Sequence, residues 1–449
     1  MKNYYPRTIL LSMAVGFAWL CAGYAAAATT DDIVAGVERE YPSLEQLYHH
    51  LHSHPELSLQ EEKTSARIAQ ELRAAGFDVT ENVGGYGVVG IMRNGEGPTV
   101  MVRTDMDALP IREETNLPYA SQVEAQNDQG QTVGVMHACG HDVHMTVFTG
   151  VARLMSKQRD RWRGVLLMIG QPAEEVGLGA KAMMDDGLFE LFARPDYMLA
   201  LHIMPDLPTG TVGYAEGYAM ASVDEVYITV RGVGGHGAMP HKTKDPVVIA
   251  AQIVLALQTI VSREILALEP AVVTVGQIHG GTKCNIIPDE VKMDLTVRTY
   301  SEQVREHILS AIKRISEGIA LSAGVGKDRL PIVYIRDNPC PAVYNSPELV
   351  KRVNKAIAGI IGSENITAVA PKMGGEDFAH YRHQYPSIPS YYFFIGPTTP
   401  EQIEQSKKTK TPLPGLHTSR IAPVAEPTIK TGVKAMTAAV LDLMRPKKD

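Results

Sequence analysis

Hydrophobic residues recur along this chain with two different periods, and the places where the period changes divide it. Leu44, Leu47, Tyr48 and Leu51 share one helical face, which predicts a helix over 43–54. Its polar side carries His49, His50, His52 and His54. A second helix is predicted from about Glu61 to Ala75, stopping at Gly76, a common C-terminal signal. Short unbroken apolar runs follow at Val88–Met92, Thr99–Arg103, Val165–Ile169 and Tyr197–Leu201. Runs of this kind fit strands buried on both faces of a parallel sheet. Between them, Val143, Val147, Val151, Leu154 and Met155 return to helical spacing, with Asp142 placed to cap that helix.

The pattern then changes. Glu225–Arg231 alternates apolar and polar, the mark of a half-exposed strand. A helix at 246–262, strands at 271–278 and 291–299, a helix at 302–321 and a strand at 330–335 complete a β-α-β-β-α-β series. That order is a ferredoxin-like module. The α/β pattern resumes with a helix at 347–361 and closes with one at 427–444. The expected architecture is therefore an α/β domain with a mostly parallel central sheet, built from 29–220 and 337–449. An α+β ferredoxin-like domain is inserted at 221–336.

The first residues stand apart from this fold. Lys2 and Arg7 precede an apolar run from Ile9 to Leu20, and Ala25–Ala28 offer small-residue cleavage sites. Residues 1–28 read as a secretory signal peptide cut near Ala28, which predicts a periplasmic or secreted protein. No later stretch is expected to cross a bilayer, which takes about 20 apolar residues. Net charge is −7 with no basic stripe, so nucleic acid is excluded as a partner. After the leader only Cys139, Cys284 and Cys340 remain, which is no disulfide framework. A single Cys284–Cys340 bond is left open.

The candidate chemistry centres on His137-Ala138-Cys139-Gly140-His141-Asp142, followed by His144. Glycine between Cys139 and His141 permits a sharp turn, so both side chains can face one centre. A helix N-terminus just beyond favours a thiolate at Cys139. Polar residues also follow the carboxyl ends of the apolar strands: Asp105, then Glu174 and Glu175, then His202. Open α/β sheets place their sites there, so these residues are expected to converge on the Cys139–His141 turn. Adjacent glutamates on an extended segment point opposite ways, giving one ligand and one general base. Cys139, His141, Glu175, His202 and His417 make five ligands, which suits two metal ions sharing one bridge. In the insert, His236 within Gly234–His241 suits oxyanion stabilisation, and Arg298 suits a carboxylate. On those stretches alone, a flexible turn with a surface His is an equal reading of Gly234–His241, and Asn285 and Arg298 read as structural polar groups near strand ends.

Taken together, the motifs resemble a metallopeptidase family that contains aminoacylases, carboxypeptidase G-type enzymes and hippurate hydrolases. Within it they look most like the branch of N-acyl-amino-acid and auxin-conjugate amidohydrolases. The matching stretches are His54–Ser58, Arg103–Pro110, His137–Asp142, Gln171–Glu175, Ala200–His202, Gly234–His241, Asn285–Pro288, Gly374–Phe378 and Leu416–Thr418. They span nearly the whole mature chain in the family's order. The resemblance implies a two-metal, aminopeptidase-like catalytic domain with the insert as a lid. Cys139 would bridge the ions, a place many relatives fill with Asp. Glu175 with His417, and His141 with His202, would complete the two sites. Glu174 would be the general base. His236, Asn285 and Arg298 of the lid, with Gly374 and Gly375, would hold the scissile carbonyl and the substrate carboxylate.

The implied cofactors are two divalent ions. Thiolate and imidazole suit zinc, nickel or cobalt, and manganese occurs in relatives. In some relatives the lid His reaches a partner's site, which implies a homodimer through the lid. One departure stands out: the family's His-x-Asp motif reads Arg103-Thr104-Asp105 here. Arginine cannot bind a metal, so Asp105 is left as an orienting residue of the catalytic group. The implied reaction cleaves the amide of an N-acyl amino acid, hippurate-like or auxin-conjugate-like, to a carboxylic acid and an amino acid. The competing readings are a peptidase for dipeptides or peptide C-termini and a non-catalytic metal- or ligand-binding protein. An intact Glu174 argues against the last.

Overall fold

The structure is a computed structural model that describes residues 11–446, with side chains from residue 31 onward. The expected leader, 1–28, lies outside the residues with described side chains, and its first ten residues lie outside the described chain. Two compact units are present. The first takes the chain to Tyr214, then Pro347–Ala368 and the chain from Ile388; the second comprises Ala215–Ser346 and Val369–Ser387.

The second unit is thus wider than the 221–336 insert, and it takes 369–387 from the expected catalytic segment. Backbone pairing explains this. Lys372 N–H donates to Ala219 O at 2.9 Å, and a bridge joins Lys372 to Met220. Gly374 and Gly375 therefore belong to the second unit.

In the first unit, among the described residues, eight strands form one sheet. They are β1 (Asp78–Val83), β2 (Gly87–Asn94), β3 (Thr99–Asp105), β4 (Gly164–Gln171), β5 (Tyr197–Ile203), β6 (Val212–Tyr214), β7 (Ile366–Ala368) and β8 (Ser390–Ile395). Their order is β1-β2-β4-β3-β5-β8-β6-β7. The four central strands β4, β3, β5 and β8 run parallel. Strand β2 is antiparallel to β4 and to β1 at one edge, and β6 is antiparallel to β8 toward the other. The unbroken apolar runs have this cause: helices cover both faces, so nearly every position of β3, β5 and β8 is buried.

Those helices are α1 (Leu11–Ser53), α2 (Glu62–Ala74), α3 (His141–Lys157), α4 (Pro347–Ile361) and α5 (Ala425–Leu443). The helix expected at 43–54 is the end of the longer α1, which continues through Pro42. Helix α3 is buried along most of its length. Its Gly150 lets α5 come close, since a Cβ there would stand 2.6 Å from Val433 Cγ2.

In the second unit four antiparallel strands lie in the order Ala271–Gly280, Glu290–Thr299, Ser222–Arg231, Ile332–Ile335. Ile249, Ile253 and Leu257 of the helix Pro246–Thr259, with Ile308 and Ile312 of the helix Glu302–Ser322, pack on Val226, Ile228, Met293 and Leu295. The alternation of the strands follows, because only one sheet face is covered by helices. One expectation fails here: by length and composition the helix Pro246–Glu264 is apolar enough to cross a membrane. Part of that apolar surface is the core face just named, and Val247, Val248 and Leu255 are exposed. Cys284 and Cys340 are not in a disulfide, so the bond left open between them is not formed.

Candidate metal centre

The strand ends bring the predicted groups of the first unit together. Asp105 ends β3, His202 lies near the end of β5, and the Glu174–Glu175 turn follows β4. Gly140 precedes α3 in the left-handed conformation, with φ 83°. A Cβ there would stand 2.4 Å from Ile203 Cδ1, so only glycine lets the Cys139–His141 turn press onto the end of β5. Gly140, not Asp142, is the N-cap of α3. Asp142 sits in the first turn, accepts from Val143 N–H at 2.8 Å and faces His52.

Cys139 Sγ is the hub. It lies 3.3 Å from His202 Nε2 and 3.3 Å from His417 Nε2. His417 Nε2 is also 3.3 Å from Glu175 Oε2. The donor atoms of Cys139, His141 and His202 lie within 4.8 Å of one another, and so do those of Cys139, Glu175 and His417. Glu174 Oε2 and Glu175 Oε1 stand 4.0 and 3.9 Å from His141 Nε2. The pair therefore does not point in opposite directions. The segment is a turn, entered through Ala173 at φ 53°, and both carboxylates approach one imidazole.

Hydrogen bonds fix the histidine tautomers. His141 Nδ1 donates to Asp107 O at 2.8 Å, and His202 Nδ1 donates to Ile203 O at 2.7 Å. Each Nε2 is left as a lone-pair donor toward the centre, the arrangement metal-binding histidines use. His144 is different: Nδ1 bonds Asp105 Oδ1 at 2.8 Å and Nε2 accepts from Ile203 N–H at 3.0 Å. With both nitrogens engaged it is no ligand, although it lies near Asp105 and His141. It forms part of a buried chain instead. Gln171 Oε1 accepts from Arg103 Nε at 2.9 Å, and Arg103 Nη1 donates to Asp105 Oδ2 at 2.8 Å. The chain Gln171–Arg103–Asp105–His144–Ile203 ties together the ends of β4, β3, α3 and β5.

The residues fit a cation. His141 Nε2 and Glu175 Oε1 are buried without a hydrogen-bond partner. Burial, then Glu175, Glu174 and Asp105, push the Cys139 thiol well above its usual range. The thiolate expected from the helix N-terminus alone is thus outweighed, and a nearby positive charge is what would hold it. Burial opposes a charged His141, yet Asp105, Asp107 and Glu175 raise its pKa to about 10. A carboxylate-rich pocket that draws a proton onto a buried histidine is one that would accept a metal ion in its place.

Several residues of the site are not among those expected from the sequence. Asp107 orients the site beside Asp105: its Oδ1 lies 3.3 Å from His141 Nδ1, and its Oδ2 accepts from Glu175 N–H at 3.0 Å. The Asp-Met-Asp spacing could have shown this, because alternate residues at a strand end share a side. Likewise His144 lies three residues from His141, on the same helical face. Glu61, whose Oε1 accepts from Ala173 N–H at 2.8 Å, left no local signal across 112 positions.

His52 is not on the polar side of its helix. It is buried between Asp142 Oδ2 at 2.6 Å and Glu113 Oε1 at 3.0 Å. Burial lowers its pKa, but the two carboxylates prevail and raise it to about 10. The folded pKa lies above the ordinary 6.5, so the stabilisation is complete below pH 6.5 and fades as pH rises through about 10. The thermal midpoint of the wild type is expected to fall by a few degrees over that window. His52→Gln, which cannot titrate, should be less stable at pH 6.5 and show a flatter profile. Identical slopes in the two proteins would show that His52 is neutral in the fold.

The sequence profile described as peptidase family M20/M25/M40 matches residues 101–419. The chain belongs to this family. It is 36% identical over 354 residues to N-acetylcysteine deacetylase of Bacillus subtilis (strain 168), covering 78% of this chain and 87% of that protein. It is 37% identical over 339 residues to hippurate hydrolase of Campylobacter jejuni, covering 75% and 84%. Among solved structures it resembles the Bacillus subtilis YXEP protein, a dinuclear metal binding peptidase of the M20 family. That match has a TM-score of 0.73 at 29% identity and covers 91% of this chain and 99% of that one. Its mixed, mostly parallel sheet is thus the M20 fold, and the protein is a hydrolase with a centre for divalent metal.

The lid residues of this M20 chain fall into two groups. His236 and Ile286 pair across a short ribbon, and Gly237 N–H donates to Asn285 O at 2.9 Å, so His236 and Asn285 are neighbours. Both are exposed. Arg298 lies near the far end of the strand Glu290–Thr299, with Gly375 close by. Counting along that strand, the two groups stand roughly 25 Å apart.

Proposed function

We propose that Cys139, His141, His202, Glu175 and His417 would hold two divalent ions, Cys139 being the residue common to the two donor groups. Glu174 then serves as general base in the hydrolysis of N-acyl amino acids. Metal-dependent cleavage of the amide of N-acyl amino acids is the activity of this family branch, and the chain is an amidohydrolase. The observation that carries the ligand assignment is the position of Cys139 Sγ, 3.3 Å from both His202 and His417. A thiolate with imidazoles favours zinc over manganese.

Two bound ions would polarise the scissile carbonyl and make a water more acidic. Glu174 takes the proton from the attacking water as the new C–O bond forms, then delivers it to the amide nitrogen as the C–N bond breaks. A carboxylic acid and an amino acid leave. His236 Nδ1 accepts from Ala238 N–H at 3.0 Å, so Nε2–H remains available for a developing oxyanion. Asn285 sits beside it. Arg298 is half-buried and makes no ion pair among the described residues; Thr296 Oγ1 accepts from its Nε at 2.9 Å. It suits a substrate carboxylate.

The distance between Arg298 and the His236–Asn285 pair supports a homodimer in which each copy lends that pair to the other. The apolar outer surface of the second unit, with Val248, Leu255 and Ile278 exposed, suits such a contact. The leader layout supports export to the periplasm or the medium.

Arg298 supplies the test. A charge-assisted contact contributes ~1.5–3 kcal/mol, or roughly tenfold to over a hundredfold. Arg298→Ala should cut kcat/KM for N-acyl amino acids by that factor. It should hardly affect analogues whose carboxylate is a neutral amide. Equal losses on acid and amide substrates would remove Arg298 from the substrate site.

A further inference from the structure

We infer that Tyr218 and Tyr300 form a subsite for an aromatic amino-acid side chain beside Arg298; this rests on Arg298 holding the substrate carboxylate. Strand alternation sets up the patch. Val297 and Thr299 are buried, while Arg298 is half-buried on the opposite side of the strand and Tyr300, also half-buried, follows the strand's last residue. The Tyr218 ring stacks on Tyr300, with centroids 5.7 Å apart and planes at 27°. Tyr344 stands edge-on to Tyr218 at 5.2 Å, and the Arg382 guanidinium lies 4.6 Å from the Tyr344 ring centre. The pair is therefore backed by a third ring and a cation.

Two glycines join this aromatic patch to the guanidinium. A Cβ on Gly375 would meet Val223 Cγ2 at 2.4 Å and lie 3.8 Å from Arg298 Nη1. A Cβ on Gly374 would stand 3.2 Å from Met220 Cε. Met220 is two residues from Tyr218 on the same short strand. The Gly374–Gly375 backbone thus runs from the Tyr218 strand to Arg298 with no side chain to screen either.

An N-acyl amino acid carries its carboxylate and its side chain on one carbon. A ligand gripped by Arg298 through the carboxylate therefore holds its side chain only a few bonds from the guanidinium, near these rings. Tyr218 remains 37% exposed. Neither its hydroxyl nor that of Tyr300 makes a hydrogen bond among the described residues. Ring faces and a nearby thioether favour a flat aromatic group over a methyl.

The experiment compares N-acetyl-L-phenylalanine with N-acetyl-L-alanine, so that the acyl group is constant. It measures kcat/KM for the metal-loaded wild type, Tyr218→Ala, Tyr218→Phe and Tyr300→Leu, with metal content checked in each. The phenylalanine-to-alanine ratio should fall about tenfold in Tyr218→Ala and Tyr300→Leu, and return in Tyr218→Phe. An unchanged ratio, or equal losses on both substrates, overturns the subsite and leaves the amidohydrolase reading standing. If the wild type cleaves neither compound, the reading of the reaction falls and the subsite falls with it.

Discussion

Replacing Glu174 by glutamine is expected to lower kcat by roughly 10²–10⁴-fold while the metal content stays at the wild-type level. Glutamine keeps the size of the side chain and its hydrogen-bonding reach but has no basic oxygen to take a proton from water. The contrast with its neighbour makes the test sharp. Glu175 Oε2 lies 3.3 Å from His417 Nε2, and Glu175 belongs with Cys139 and His417 as a donor group. Glu174 Oε2 lies 4.0 Å from His141 Nε2 and shares a possible donor group with His141 and Glu175, but it is not in the group that Cys139 and His417 form. Glu175→Gln should therefore lose metal and activity together, and Glu174→Gln activity alone. Steady-state kinetics with metal analysis of both variants decides the matter. Metal loss in Glu174→Gln, or near-normal turnover, would give Glu174 another role.

Cys139→Ser should empty the centre and abolish turnover in the same preparation. Both donor groups share the Cys139 sulfur, so weakening it weakens two sites at once. A serine hydroxyl is a poor bridge, because it stays protonated where a thiol beside two cations would ionise. The fold should survive, since the change removes little volume and the turn into α3 is made by Gly140, its N-cap. Unchanged circular dichroism with metal content far below the wild type is the expected result. Full occupancy with full activity would make Cys139 an ordinary buried thiol.

Much of this architecture was legible because burial on two faces writes unbroken apolar runs. Strands β3, β4 and β5 announced themselves that way, and their carboxyl ends pointed to Asp105, Glu174, Glu175 and His202. Strand β8 did not, although it lies between β5 and β6 in the sheet. Its Tyr391, Tyr392, Phe393 and Phe394 are flanked by Pro386, Pro389 and Pro397, which signal loops when read locally. The pairing with β5 that makes it a strand is non-local. The same holds within the site. Cys139 and His141 were visible as a tight motif, whereas the duties of Asp107, Glu61 and His52 depend on partners far along the chain. The direction of Glu174 and Glu175 depended on a positive φ at Ala173, which alanine does not advertise.

The hub of the centre has a consequence for when it can exist. Cys139 and His417 meet across 278 positions, and the second unit is encoded between them. A partial chain, however well it folded, would carry Cys139, His141 and His202 without the last histidine. Complete assembly of the centre must then await synthesis and docking of the C-terminal segment, a long loop closure that comes late in forming any such contact. Truncated or interrupted chains would be left without a complete hydrolytic apparatus. A chain that crossed a membrane unfolded would draw its ions from the compartment in which it finally folds, not from the one in which it was made.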